Sequence, residues 1–225
     1  MMHQRINKKI LFYIFLFLLI GTHNNKNFNN LNFFLLNEIN VSGLEKDNNT
    51  ILMKKLDLIR PSNLLLINKK KLTEIISSNN LVEKFTIFKQ YPSTLNIDII
   101  KTQFLANVKK DNTNFLLGSN GKLIQSIELR KNVPLIIGNF KNQNFFELKD
   151  VIDKVNFDYF KIKNLFFFKS GRWDIETYSG LLIKLPKKNL SKSLKLAINI
   201  LDKDLQNNIT KIDLRQSNQV IIYGK

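Results

Sequence analysis

Side-chain catalysis needs a nucleophile, a base or a ligand set, and this sequence is poor in all three. Cysteine is absent, and the two histidines, His3 and His23, both fall near the start. Thiolate nucleophiles, thiolate metal sites and disulfides are thereby excluded, and so is a histidine base or zinc site in the body of the chain. Glu38, Asp98, Asp153, Asp174 and Asp213 supply carboxylates. No glycine-rich phosphate loop, nucleophile elbow or metal-ligand cluster accompanies them, and unplaced carboxylates recur in nearly every protein. The expectation is a protein that is not an enzyme, with no catalytic residue, cofactor or metal.

Recognition by backbone is the chemistry that remains. Gln219 to Tyr223 reads as a final strand, with Val220 and Ile222 on one face and Ile221 and Tyr223 on the other. A strand at a sheet edge offers unpaired N–H and C=O groups to another chain, while alternate side chains select the partner. Tyr223 is the candidate aromatic anchor. Asp213 and Arg215, two residues apart near the strand-like Ile209–Leu214, either pair locally or reach a partner.

The charge is +17, from 35 Lys+Arg against 18 Asp+Glu. Nucleic acid and anionic membrane both attract such a chain. The lysines are scattered, however, in a sequence biased throughout toward Lys, Asn and Ile, so nucleic acid is not an expected partner.

Ile10–Gly21 is an uncharged apolar run preceded by Arg5, Lys8 and Lys9. As a helix it reaches about 18 Å, short of the roughly 30 Å hydrocarbon core. It therefore reads as an uncleaved anchor, with snorkelling lysines and local thinning of the bilayer, or as a signal peptide. The anchor fits better, because Gly21-Thr22-His23-Asn24-Asn25 contains no A-x-A-like cleavage site. Either reading exports the remainder of the chain and leaves the N-terminus in the cytoplasm.

The elements that must position the last strand come in two groups. First, Leu36–Ser42 alternates as a strand and stops at Gly43. Thr50–Leu58 reads as a helix capped from an Asn-rich stretch and broken at Arg60-Pro61-Ser62-Asn63; Lys69–Ser77 is a second helix, opened by Asn68. Val82–Gln90 and Thr94–Lys101 form a hairpin across Tyr91-Pro92-Ser93. From Phe104 onward hairpins dominate, with Asn120-Gly121 the strongest turn signal. One short helix around Leu148–Val155, strands at Ile162–Phe168, Trp173–Tyr178 and Leu181–Leu185, and a long helix at Ser191–Leu205 complete the pattern. Trp173 reads as core more readily than as a contact. Gly43 and Gly138 are candidate positive-φ or strand-ending positions.

This order, and several motifs along it, resemble the FtsQ/DivIB family. Ile39-Asn40-Val41-Ser42-Gly43 is similar to the family's opening strand and glycine. Asn63-Leu64-Leu65-Leu66-Ile67-Asn68 and Tyr91-Pro92-Ser93-Thr94-Leu95-Asn96-Ile97 are similar to its internal segments. Gly121-Lys122-Leu123-Ile124, Val133–Gly138, Arg172-Trp173-Asp174-Ile175 and Ile212-Asp213-Leu214-Arg215 extend the likeness. Two departures stand out: Ser62 replaces a glycine, and Gln216 follows the Asp-Leu-Arg run where relatives carry an aromatic.

The resemblance implies an α+β chain with a single N-terminal transmembrane helix, a POTRA domain (β-α-α-β-β) and a mostly β domain with a long C-terminal helix and final strands. The corresponding division is a cytoplasmic stub at 1–9, an anchor at 10–22, a linker at 23–34, the POTRA domain at 35–102 and the β-domain at 103–225. It implies a bitopic scaffold in the bacterial inner (plasma) membrane at the division septum, its bulk periplasmic. It links early and late division proteins, with FtsB-like and FtsL-like proteins, other divisome components and inner-membrane lipid as partners. The partner-binding residues at the β-domain edge are then Asp213, Arg215, Val220, Ile222 and Tyr223. The alternative is a secreted or periplasmic POTRA-containing interaction protein in envelope assembly. A barrel-bearing assembly protein is excluded, because the roughly 120 residues after the first domain are too few for a transmembrane barrel.

Overall fold

A computed structural model describes residues 8–23, 34–60, 62–202, 209–216 and 219–224. The first helix, α1 (Lys8–His23), has 16 residues, about 24 Å of rise. It outgrows the apolar run only by adding Lys8 and Lys9 at one end and Thr22 and His23 at the other, and these add no hydrophobic length. No helix among the described residues is long and apolar enough to cross a membrane, so the expected transmembrane helix is corrected to a shorter apolar helix. Of the expected stub and linker, residues 1–7 and 24–33 lie outside the described residues, as does Pro61 of the expected helix break.

The chain divides into two compact units, Met1–Ser78 with Phe85–Ile99 and Asn79–Lys84 with Ile100–Lys225. In the first, β1 (Glu38–Ser42) pairs in parallel with β3 (Thr94–Lys101), which lies beside β2 (Val82–Gln90) in a three-stranded sheet. Leu95, Ile97 and Ile99 are buried at alternate positions of β3, while Asp98 stays exposed. The helices α2 (Lys46–Leu56) and α3 (Lys69–Ser77) bury Leu52 with Leu56 and Leu72 with Ile76, each pair one turn apart.

Asn68 opens α3 by accepting a hydrogen bond from the Lys71 N–H at 3.1 Å. The start of α2 differs from expectation. Asn49, read as part of a cap, lies inside the helix, and its side chain bonds back to the Leu44 C=O at 3.0 Å and N–H at 3.3 Å. That bridge draws the start back to Lys46. Gly43, at φ +96°, approaches β3 so closely that a Cβ would fall 1.8 Å from the Ile99 carbonyl oxygen.

Among its described residues, the second unit carries a nine-stranded sheet. Its strands are β4 (Phe104–Lys110), β5 (Thr113–Gly118), β6 (Leu123–Ser126), β7 (Leu135–Ile137), β8 (Ile162–Phe167), β9 (Trp173–Thr177), β10 (Leu182–Lys184), β11 (Ile209–Asp213) and β12 (Ile221–Gly224). Their spatial order is β12-β11-β10-β9-β8-β7-β4-β5-β6. The helices α4 (Asn142–Lys154) and α5 (Leu190–Asp202) bury Phe145, Leu148 and Ile152, and Leu194 and Ala197. These join Ala106, Leu117, Ile136, Leu165, Ile175, Ile183 and Ile212 in one core.

Trp173 is buried there, its ring 4.7 Å from Phe167 and 6.2 Å from Phe140. Buried Asn107 ties the 130–133 stretch to β4: its amide donates to the Arg130 and Val133 carbonyls and its oxygen accepts from the Arg130 N–H. The strand expected at Gln219–Tyr223 is observed at Ile221–Gly224, and residues 203–205 of the expected long helix lie outside the described residues.

Candidate functional site

Among the described residues the sheet ends at β12, whose one strand neighbour is β11. The pair is antiparallel, with Asp213 opposite Ile221, Ile212 opposite Ile222 and Lys211 opposite Tyr223. Because strand side chains alternate, this register sorts the edge into two faces. Ile212 belongs to the helix-covered core, so Ile222 shares that side, and Val220 packs against the same core. Ile221 and Tyr223 share the opposite face with Asp213 and Lys211.

Ile221, Ile222 and Tyr223 keep 38%, 43% and 43% of their surface exposed, which is unusual for three consecutive apolar positions. Lys211 sets its ammonium 3.5 Å from the Tyr223 ring centroid, a cation–π contact that fixes the ring. Thr210 donates to the Tyr223 carbonyl at 3.3 Å.

The other end of the sheet is β6, and side chains blunt it. Asn80 donates to the Leu123 carbonyl at 3.0 Å, and Asn114 donates to the Ile127 carbonyl, just past the strand, at 3.2 Å. Such side-chain donors occupy acceptors that an added strand would need. Among the described residues each edge strand has one carbonyl engaged in this way, Leu123 on β6 and Tyr223 on β12; what sets β12 apart is its exposed row Ile221, Ile222 and Tyr223.

A charged row runs inward from the edge. The register places Asp213 beside Lys184, and Lys184 beside Asp174. Arg215 lies past the end of β11. Its guanidinium donates to both Asp213 oxygens at 2.6 to 3.0 Å, and its own N–H to Oδ1 at 3.1 Å. That two-pronged geometry is the strong form of the contact. Asp213 is thus committed to an internal partner, while Arg215 keeps 41% of its side chain exposed.

The Arg215 hydrogen bonds hold the Asp213 carboxyl below the ordinary aspartate range, against the opposing effect of burial. Asp174 goes the other way. Burial pushes it up and Asp213 reinforces this, while Arg172, Lys184 and Arg215 oppose it. Arg172 Nε and Asp174 Oδ1 lie 3.8 Å apart, too far for a hydrogen bond.

These shifts carry opposite signs in stability. Asp213, depressed in the folded state, contributes above the unfolded pKa and loses that contribution as pH falls through its folded value. Asp213→Asn is therefore expected to cost about 1 kcal/mol at neutral pH, the half-exposed Arg215 keeping the figure small. The gap from the parent should close on acidification below the ordinary aspartate range. Urea denaturation across that pH series measures it; a gap that stays constant with pH would reject the pairing as its source.

Of the residues singled out in the sequence, the fold joins Asp213 with Arg215 and sets Val220, Ile222 and Tyr223 along one edge. It adds Lys211 and Lys184, which sequence reading missed, and brings Ile221 and Asp174, named there without a role at the site, into the same neighbourhood. Alternation along Ile209–Asp213 groups Lys211 with Asp213, but their partners on β12 depend on a register that no local signal encodes.

A family model described as cell division protein FtsQ/DivIB, C-terminal, matches residues 106–215, and one described as POTRA domain, FtsQ-type, matches residues 34–101. The chain is 23% identical over 192 residues to a cell division protein FtsQ of Rickettsia bellii (strain RML369-C), covering 84% of this chain and 72% of that protein. It is 26% identical over 227 residues to a cell division protein DivIB of Clostridium botulinum (strain Hall), covering 89% and 84%. The solved major extracytoplasmic domain of the trans isomer of DivIB from Geobacillus stearothermophilus matches at 14% identity and a TM-score of 0.34, over 47% of this chain and 98% of that one. Strand β12 lies beyond the C-terminal model's match.

Proposed function

We propose, because the chain belongs to the FtsQ/DivIB family of bacterial cell-division proteins, that it is a non-catalytic scaffold at the division site. In this reading it recruits a partner chain by strand addition to β12, with FtsB-like and FtsL-like proteins as the partners, and so links early and late division components. Its two folded units act outside the cytoplasm.

The observation that carries the reading is the single-neighbour position of β12 together with the exposure of Ile221, Ile222 and Tyr223. Backbone groups supply affinity in such a contact, and side chains on alternate faces supply choice of partner. Tyr223 suits an anchoring role because its ring is held by Lys211 before any partner arrives, which reduces the ordering cost of binding.

Depleting the protein from growing cells tests the division role. Cells are expected to elongate without septa; normal division at full depletion would reject the role.

A further inference from the structure

Leu64 is buried in the first unit and donates its N–H to the Phe34 carbonyl at 2.6 Å. Just beside it, the Asn63 side chain accepts from the Leu65 N–H at 2.9 Å, and the Leu66 N–H donates to the Asn63 carbonyl at 3.0 Å. The backbone so held leaves Leu65 and Leu66 exposed, at 49% and 81%. Lys89 donates to the Leu65 carbonyl at 3.3 Å, bringing the end of β2 alongside. Tyr91, 54% exposed, meets Phe34 edge-on with ring centroids 5.7 Å apart. Hydrogen bonds and ring contact thus gather Phe34, Leu65, Leu66 and Tyr91 into one apolar projection.

Cations flank its Leu65–Leu66 side, while on the Tyr91 side the exposed Glu38 accepts from the Thr94 hydroxyl at 3.3 Å. Lys69, Lys70, Lys71 and Lys89 are all exposed, and no acid occurs from Ser62 to Lys71. The closest acid earlier in the chain, Asp57, is already paired with Arg60 at 3.0 Å. Three lysines in the first turn of α3 gain nothing from the helix, whose dipole disfavours positive charge there.

We propose that this projection docks on the anionic headgroup surface of a lipid bilayer. Leu65, Leu66 and Tyr91 enter the boundary, and the four lysines remain at phosphate level. Such a surface satisfies both halves of the patch at once, charge outside and apolar medium just beneath. The helix α1 favours lipid over a protein partner. Its side chains from Ile10 to Ile20 are apolar and exposed, so an apolar medium is its low-energy surrounding. Ten residues, 24–33, separate it from Phe34, a reach of at most about 35 Å. The proposal is independent of β12 and of any membrane crossing.

The sequence contains no cysteine, so Leu66→Cys gives a unique labelling position at an exposed side chain in the full-length protein. An environment-sensitive fluorophore there is expected to shift to the blue on reconstitution with phosphatidylglycerol vesicles and to be quenched by lipid-borne spin labels. Raised salt, or Lys69→Glu with Lys70→Glu and Lys71→Glu, should reverse the shift, because exposed charges are screened. The same label at Ser170→Cys, exposed in the second unit, should not respond. The proposal is overturned by an unshifted Leu66 label, by equal responses at both positions, or by an equal shift with phosphatidylcholine alone. A shift produced by an FtsB-like peptide without lipid would overturn it in favour of a protein partner.

Discussion

Tyr223→Lys is expected to weaken binding of an FtsB-like partner segment by about 100-fold or more, the loss of one anchoring aromatic at the centre of an interface. Two effects combine. The substitution removes an exposed ring at the sheet edge, and it sets a second ammonium beside Lys211, whose Nζ stands 3.5 Å from the ring centroid. The parent is already strongly basic at +17, and the Asp213 carboxylate on the same face of the edge is already held by Arg215. Tyr223→Phe keeps the ring and its cation contact and should bind within about threefold of the parent. Because Tyr223 is outside the buried core, both variants should unfold at nearly the parent urea concentration. Titration calorimetry with full-length protein measures the affinities. Parent-like binding by Tyr223→Lys would remove Tyr223 from the site.

Gly138→Ala should destabilise the second unit by about 3 to 5 kcal/mol, the range reserved for backbone strain combined with steric collision. Gly138 follows β7 at φ +116°, and a Cβ built there stands 2.1 Å from the Phe167 carbonyl oxygen. Phe167 closes β8, which pairs with β7 in the middle of the sheet, so the collision cannot be relieved by rotating a side chain. Gly180 is the internal comparison. It has φ +85°, yet no atom of the described residues lies within 4 Å of its Cβ position; Gly180→Ala should cost only about 1 to 2 kcal/mol, the conformational part alone. Urea denaturation followed at Trp173, in the core of the same unit, distinguishes the two. Equal losses would mean that close approach to β8 contributes nothing.

Local order was readable where chemistry and period agreed. Lys69–Ser77 announced itself through Asn68 and the Leu72/Ile76 spacing, and Val82–Gln90 through its bounding turn; both are observed with those bounds. Gly43 and Gly138 were readable as special positions, since stops after apolar strands favour positive φ. The three-residue strands are harder. β7 lies between β4 and β8, yet Leu135–Ile137 is too short to show a period. The α2 boundary failed because Asn49 lies inside the helix and bonds back to the Leu44 backbone instead of capping from before it. The apolar leader misled for a thermodynamic reason: hydrophobicity was evident, but the helix gains its added length from polar residues.

At the candidate site, the residue types were visible and their arrangement was not. Asp213 and Arg215 stand close enough in sequence for their pairing to be foreseen. Tyr223 over Lys211, and Asp174 two strands inward from Asp213, are products of tertiary register.

Hydrogen exchange at the β12 amides, measured with and without a bound FtsB-like segment, addresses strand addition most directly. Backbone pairing predicts slowed exchange across Ile221–Gly224 with little change at Leu123–Ser126 on the opposite edge. Unchanged β12 exchange in a saturated complex, or protection confined to β6, would contradict it.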